Sequence, residues 1–404
     1  MPGSLRCLYV CYMSLDDPLV HSQVVAYLDG LAARGHTVHL LTFDTPLPAS
    51  RREELRADLE RRGITWHSRR YHKRPSLPAT VYDTFVGVVA ILRIMRRHRL
   101  AAIHARNHVP AAMALMVRRI SRCRMIFDLR GLMAEEYVDA GTWRRGSLPY
   151  RITNWIQGAA LRRADHVVML TEAVRRQLFD GTEPEGRLAV IPCCADLDGS
   201  ADAARDIGAE LDLGGRPALV YVGKFGTWYM AREMVEFYVA AREVEPKLAF
   251  LVITQSDPDL IEREFAAAHV DPGDYRVTRS DPGEIGAYLR AAHLGISFVR
   301  PTPSKISSSP TKIGEYLAAG LPVVSTAGIG DVDALLSAGD VGVLVRSTGS
   351  DAYAEAAKEA FGLASDAATR ERCKSVARES LSLERVGVPR YDRVYRDLAA
   401  TVDQ

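Results

Sequence analysis

Residues Lys305–Gly330 read KISSSPTKIGEYLAAGLPVVSTAGIG, and the fold is worked out from this stretch outward. It opens on small hydroxyl residues, Ser307-Ser308-Ser309, whose backbone N–H groups have no bulky neighbours. Pro310 fixes the entry to a helix predicted over residues 311–319, with Thr311 as its expected cap. Gly320 stops that helix, and Pro322–Ser325 reads as a buried strand. A helix N-terminus behind such a loop suits an anion, because free N–H groups and the helix dipole both point there. Lys312 and Glu315, three residues apart, project from one helix face. A cation for phosphate beside a carboxylate for sugar hydroxyls is the chemistry of a nucleotide-sugar site. A solvated ion pair on an ordinary helix–strand connection is the plainer reading of the same residues.

The alternation of apolar and amphipathic segments runs through the whole chain, as in parallel sheets covered by helices. A first series of strands is expected at residues 8–13, 37–42, 64–67, 101–105, 125–128, 166–170 and 188–191. Between residues 198 and 212 the chain turns polar and Gly/Ala-rich, as a linker would. A second series follows at residues 217–222, 249–253, 275–278, 294–298, 322–325 and 342–345. The class is therefore α/β, with two doubly wound parallel sheets. No G-x-G-x-x-G follows the first strand, which disfavours a nicotinamide dehydrogenase.

With 404 residues, 47% hydrophobic and 25% charged, the chain has enough material for two domains. The longest apolar runs, Phe85–Leu92 and Val109–Val117, are too short to span a bilayer. The start MPGSLRCLYVCYM reads as a first strand rather than a leader, so a cytoplasmic location is expected. Six cysteines without a C-x-x-C pair form neither a disulfide framework nor a structural zinc site. Residues 1–190 hold 29 Lys/Arg against 18 Asp/Glu, leaving 23 against 32 for the remainder. A basic first half implies an anionic partner there: a membrane surface, a phosphorylated lipid or a polyanionic glycan, with no nucleic acid expected. The helix over residues 78–99 is apolar and aromatic at first and ends in Arg93, Arg96, Arg97 and Arg99. These arginines suit a helix C-terminus, and they also suit an interfacial helix touching the inner membrane face.

Pro310, Lys312, Glu315, Tyr316, Ala318, Gly320, Pro322 and Val323 together resemble the P-x-K-x-x-E-Y-x-A-x-G-x-P-V donor-site signature of retaining glycosyltransferases of family 4. The stretch from Val190 to Asp196 resembles the outline of the family's V-I-P-N-G-V-D segment, with Cys193-Cys194 in place of Asn-Gly. The resemblance implies a GT-B architecture, two Rossmann-like domains facing a cleft. Residues 1–196 would bind the acceptor, residues 197–385 the nucleotide-sugar donor, and the C-terminal helix over 386–404 would return to the first domain. Ser307 stands where the family usually carries the first Glu of an E-x7-E pair; Glu315 supplies the second.

Ligands of open parallel sheets bind beyond the carboxyl ends of strands, which directs attention to five loops. The first holds Asp17, His21, Ser22 and Gln23, where the family often has a Gly-Gly pair. The second holds Arg106 and Asn107, and the third Asp128, Arg130 and Gly131, each just past a strand. The resemblance makes these acceptor-binding residues, with Asp128 at a position often held by a His or Asp of the cleft. The fourth is Gly223-Lys224-Phe225-Gly226-Thr227-Trp228-Tyr229, where the family's basic residue for the donor diphosphate matches Lys224. The fifth is the opening stretch, with Ser308, Ser309, Thr311, Lys312 and Glu315. Arg276 would lie by the nucleobase, on resemblance alone.

The resemblance implies a retaining transfer of a sugar from a nucleoside diphosphate sugar to a hydroxyl of a glycan, lipid-linked or natural-product acceptor. Lys224, Lys312 and the amides of Ser308, Ser309 and Thr311 would stabilise the leaving diphosphate, and Asp128 would orient the acceptor hydroxyl. No D-x-D metal-binding signature stands at a strand end with further ligands beside it, so metal independence is expected and no cofactor beyond the co-substrate. A sugar-nucleotide epimerase or hydrolase on the same fold is the alternative. A binding protein that has kept the fold without the chemistry is a third reading, disfavoured by the presence of Lys224, Lys312 and Glu315.

Overall fold

Among the described residues, β-branched and aliphatic runs too short for helices become thirteen parallel strands, divided between two units. The structure, a computed structural model, describes residues 3–72, 74, 76–182, 186–197, 207–226 and 228–402. One unit comprises Met1–Pro192 with Leu383–Gln404, and the other Cys193–Ser382. The chain thus changes unit at Pro192/Cys193 and returns at Ser382/Leu383, a few residues before the expected boundaries. Of the expected linker, residues 198–206 lie outside the described residues, and Ile207–Glu210 is one helical turn.

The first unit is built on β1 (Arg6–Cys11), β2 (Thr37–Asp44), β3 (Ile64–Arg70), β4 (Ala102–Arg106), β5 (Arg124–Leu129), β6 (His166–Met169) and β7 (Leu188–Val190). Their order is β3-β2-β1-β4-β5-β6-β7, so the winding reverses between β1 and β4. That reversal leaves a crevice at the carboxyl ends of the two strands. Parallel register sets Cys11 beside Arg106 and Arg106 beside Asp128, a row across that edge.

The helix after β1 is not uniform. Pro18–Val20 is α-helical, His21–Val25 forms a π-helical turn, and Ala26–Ala33 resumes the α-helix. Ser22 Oγ donates back to Pro18 O, a bond that competes with regular winding. The wider turn buries Gln23 at the head of the helix, beyond what periodicity alone indicated.

The Ser76–His98 helix crosses from β3 to β4. Its inner face buries Ala90, Ile91, Ile94 and Met95, while Leu77, Val81, Tyr82, Phe85 and Val89 are exposed. Gly87 permits this packing: a Cβ there would stand 2.5 Å from Met113 Sδ. Asp83 is buried inside the helix and accepts hydrogen bonds from Tyr12 Oη and the His72 N–H, which interrupted the apolar run in sequence. Leu77–His98 is nevertheless long and apolar enough to cross a bilayer by length and composition, with 39% of its most apolar window buried. This corrects the expectation from run length.

The C-terminal helix Val388–Val402 buries Tyr391, Val394, Tyr395 and Leu398 within the first unit. It packs on the Ala26–Ala33 helix at Gly30, whose Cβ would fall 2.5 Å from Val388.

The second unit carries β8 (Ala218–Val222), β9 (Ala249–Ile253), β10 (Tyr275–Thr278), β11 (Leu294–Ser297), β12 (Val323–Thr326) and β13 (Gly342–Val345). The order β10-β9-β8-β11-β12-β13 again reverses beside the first strand of the series. Tyr221, Phe237, Tyr238, Phe250 and Phe298 form the core on one face, and Tyr316, Leu317 and Leu336 on the other. Its two chain ends lie together: Ala195 N donates to Leu381 O, and Ala195 bridges to Ser382.

Candidate functional site

At the carboxyl edge of the second unit, Gly223 follows β8 with φ +127°, a conformation favouring glycine. A Cβ at Gly223 would lie 3.0 Å from Lys312 Nζ. Lys312 comes from the second residue of the Thr311–Ala318 helix and is 8% exposed. Its ammonium stands 4.1 Å from the centre of the Tyr221 ring and 4.2 Å from that of Tyr229. Among the described residues, Lys312 Nζ has no hydrogen-bond partner. Burial pulls the Lys312 amine down to about 7, and only the Glu315 carboxylate pulls it back up. A drop of that size corresponds to on the order of 5 kcal/mol against the charged form. Two cation–π contacts return roughly 1–4 kcal/mol. The charge is therefore incompletely matched by the protein itself, and the missing partner is an anion.

The surrounding sequence serves this placement. Tyr316 lies flat on β11 at Gly295, where a Cβ would come within 2.5 Å of its ring. Its hydroxyl accepts from Val222 N at 2.8 Å and donates to Ile296 O at 3.3 Å, closing the sheet edge ahead of Gly223. Tyr221 Oη donates to Lys224 O, and Phe225 N donates to Ser256 Oγ, which hold the loop after β8. Lys224 is exposed beside it. Thr227 lies outside the described residues. Glu315 is half-buried on the same helix face; burial raises its carboxyl and Lys312 lowers it.

The serine loop is more structured than its composition suggested. Pro303–Ser307 is a 3-10 turn, and Ser307 Oγ donates to Ser304 O at 2.7 Å, fully buried. Ser308 N is spent on Lys305 O at 3.0 Å, so its amide drops out of the anion-binding set. Ser309 Oγ accepts from Cys193 N at 3.1 Å. Thr311 is the first helical residue rather than the cap. Pro310 occupies the cap position and no side chain caps the helix.

In the first unit the carboxyl edge gathers charge inward. Asp128 is 0% exposed; its Oδ2 accepts from Tyr391 Oη at 3.1 Å and lies 3.5 Å from His104 Nε2. Arg130 stands 3.7 Å and Arg106 4.0 Å from its carboxylate oxygens. Burial would raise the Asp128 carboxyl, but Arg130, His104 and Arg106 hold it at about 2. His104, fully buried, is pushed below its ordinary value, with Asp128 opposing the shift. Two guanidinium groups thus converge on this carboxylate, and among the described residues Arg106 NH1 has no hydrogen-bond partner. Asn107, next in line, has φ 69° and ψ −169°, a strained conformation for a residue with a side chain.

Three expected site residues are corrected by these contacts. Asp17 Oδ1 accepts from Leu19 N at 2.9 Å and caps its own helix. Arg276 donates to the carbonyls of Leu211, Asp212, Gly273 and Tyr275, turned toward the amino end of β10 and away from the edge that holds Gly223. Asp128 is sealed from solvent, with Arg106 and Arg130 beside its carboxylate, rather than exposed at the edge. His21 remains half-buried beside the edge, its imidazole lowered by burial and by Arg51.

The Glycosyltransferase Family 4 model matches residues 20–198, and the Glycosyl transferases group 1 model matches residues 216–362. The chain belongs to glycosyltransferase family 4. Both models describe glycosyltransferases, so this enzyme is one, and the epimerase or hydrolase alternative is not adopted. No curated protein matches the glycosyltransferase in sequence. Its fold is GT-B, shared with solved structures at low identity. Sucrose-phosphate synthase from Thermosynechococcus elongatus superposes with a TM-score of 0.73 at 18% identity, over 98% of this chain and 100% of that one. A glycosyltransferase from Rickettsia africae gives 0.72 at 13% identity, over 98% of both chains. Anabaena HepE, solved in complex with UDP, gives 0.70 at 13% identity, over 98% and 100%.

Sequence reading missed several residues that shape the glycosyltransferase's two edges. Tyr221 ends a strand and Tyr229 ends the next loop, and nothing in their spacing announced that both rings would enclose Lys312. Tyr391 and Tyr395 reach Asp128 and His104 from the C-terminal helix, across separations of 263 and 291 residues. No local pattern carries such a pairing.

Proposed function

We propose that this glycosyltransferase moves a sugar from a nucleoside diphosphate sugar to an acceptor hydroxyl, with retention at the anomeric carbon and without a metal ion. The observation that carries the reading is the buried Lys312 ammonium, unpaired above Gly223. A diphosphate oxygen approaching over the glycine would meet that cation where no side chain intervenes. Lys224, exposed on the same loop, adds a second charge. As the sugar–phosphate bond breaks, charge accumulates on the diphosphate, and a preplaced cation in a poorly solvated site stabilises it most at that moment. These lysines supply the charge that a divalent ion supplies elsewhere. The Ser309 and Thr311 amides would assist, and Glu315 would take the ribose hydroxyls. HepE was solved with UDP and, separately, with UDP-glucose, which supports this donor class for the present chain.

Retention fits attack on the face from which the diphosphate leaves, with the departing phosphate taking the acceptor proton. Asp128 is too deeply buried to serve as a base. The acceptor is assigned to the first unit's edge, where Arg106, Asn107, Arg130 and His21 favour an anionic or phosphorylated molecule. The outer face of the Ser76–His98 helix, with Leu77, Val81, Tyr82, Phe85 and Val89 exposed ahead of Arg93, Arg96, Arg97 and Arg99, suits anionic lipid. Six buried cysteine thiols accord with a reducing compartment, so the reading is a cytoplasmic enzyme resting on the inner membrane face.

Thermal-shift titration with UDP, GDP, ADP and dTDP tests the donor assignment. One of the four should stabilise the wild type, and Lys312→Ala should abolish that shift. An equal shift in the variant would refute the assignment. The anomeric configuration of the product, read by proton NMR, tests retention.

A further inference from the structure

Three histidines outside both edges come together in the first unit. His39 is the third residue of β2, His67 is the fourth of β3, and His98 ends the Ser76–His98 helix. Parallel register pairs His39 with Thr65 and Leu41 with His67, so His39 and His67 lie two positions apart on one face of the sheet. His39 Nδ1 and His67 Nε2 are 3.0 Å apart. The His98 ring is centred 4.5 Å from that of His39 and 5.5 Å from that of His67. One nitrogen from each imidazole falls within 4.8 Å of the other two. His39 is buried, whereas His67 and His98 are half-buried and reachable by a solute.

We propose that His39, His67 and His98 bind one divalent transition-metal ion of the zinc class, as a structural site away from the sugar-transfer chemistry. Imidazole nitrogens around zinc lie about 2.0–2.1 Å from the metal, which sets tetrahedral N···N separations at about 3.3 Å. The His39–His67 pair needs to open by a few tenths of an ångström, and His98 to close by up to about 1.5 Å at the end of its helix. The donor set contains no carboxylate, which selects against magnesium and calcium and for the borderline metals that imidazole prefers. Arg6 acts electrostatically on His39, and Arg69 and Arg56 on His67, so an anion such as chloride or hydroxide suits the fourth position. The ion would tie the end of the long crossover helix to β2 and β3. His39 lies near the amino end of its strand, opposite the edge that carries Arg106 and Asp128.

The test uses the full chain, stripped with chelator and titrated with Zn²⁺ alone by calorimetry, then with Co²⁺ by absorption. One equivalent should bind and raise Tm, and Co²⁺ should show the intense visible bands of four-coordinate nitrogen ligation. His67→Gln and His98→Gln should each weaken Zn²⁺ at least tenfold, while their nucleotide-induced thermal shifts stay at the wild-type value. If either variant fails to fold, the wild-type imidazole ε1 proton resonances decide: three should move together at one equivalent. Absence of binding, undiminished affinity in both folded variants, or a cobalt spectrum with thiolate charge-transfer bands would overturn the site.

Discussion

Lys312 Nζ lies 4.1 Å from the centre of the Tyr221 ring, and among the described residues no oxygen accepts its hydrogens. A cation held by ring faces and the field of Glu315, without a hydrogen bond, is kept for a ligand at the expense of the empty enzyme. Lys312→Met, which retains length and removes charge, should therefore raise the Tm of the free protein, by roughly 2–4 °C for each kcal/mol recovered. The same variant should lose at least tenfold in sugar-transfer turnover. A lowered Tm combined with wild-type turnover would contradict both halves of the argument.

The Lys312 amine, brought to about 7, also dictates pH behaviour. Diphosphate binds the protonated form, so donor affinity should be flat below pH 7 and fall by about tenfold per pH unit above it. Stability runs the other way. Between about pH 7 and the ordinary lysine value of 10.5, the unfolded chain holds a proton that the folded chain has released. Folding stability from this group rises with pH across that window, and Lys312→Met should flatten the rise. Calorimetric Kd values and denaturant midpoints from pH 6 to 9 measure the two trends.

Gly223→Ala probes the approach route. Its φ of +127° strains any side chain, and the new methyl would crowd Lys312 Nζ at 3.0 Å. We expect a stability loss of about 1–3 kcal/mol and a donor affinity at least tenfold weaker. Urea midpoints and nucleotide titration separate the two effects; unchanged affinity would mean the ligand does not pass over this glycine.

Asp128→Asn tests a positioning role. Removing one partner of a buried charge cluster costs about 3–5 kcal/mol, and Arg106 and Arg130 would be left facing each other. The wild-type carboxyl, held at about 2, contributes stability that is present above its ordinary value of 3.8 and lost as pH falls toward 2. Acid-denaturation midpoints of wild type and variant should differ most above pH 3.8 and converge below. A direct catalytic role would instead leave stability untouched and lower kcat alone.

Phe85→Glu, on the exposed face of the Ser76–His98 helix, should abolish co-sedimentation with anionic vesicles at low salt without changing Tm. Undiminished pelleting would remove this face from the membrane assignment.

All thirteen strands were legible in sequence, most within a residue or two at their ends. Runs such as Ala249–Ile253 can be satisfied only by burial on both faces, which leaves little choice of element. Turn residues were legible for the same local reason, since Gly320 and Gly223 can hold backbone conformations that other residues resist. Lys312 and Glu315 were legible as a pair because helical spacing alone puts them on one face. Whether a polar residue would be used by a ligand or by the frame was not legible. Arg276 and Asp17 carry the chemistry of site residues, and both are consumed by nearby backbone groups.

Local chemistry, with its period of two or 3.6 residues, thus determined the elements, their parallel class and the position of one cation at a helix start. Tertiary structure alone decided that this cation would be stripped of water between Tyr221 and Tyr229. It likewise decided that Asp128 would be sealed behind Tyr391 and that three distant histidines would converge. Burial and charge pairing depend on what the rest of the chain brings to a point in space, and no spacing along the chain encodes that.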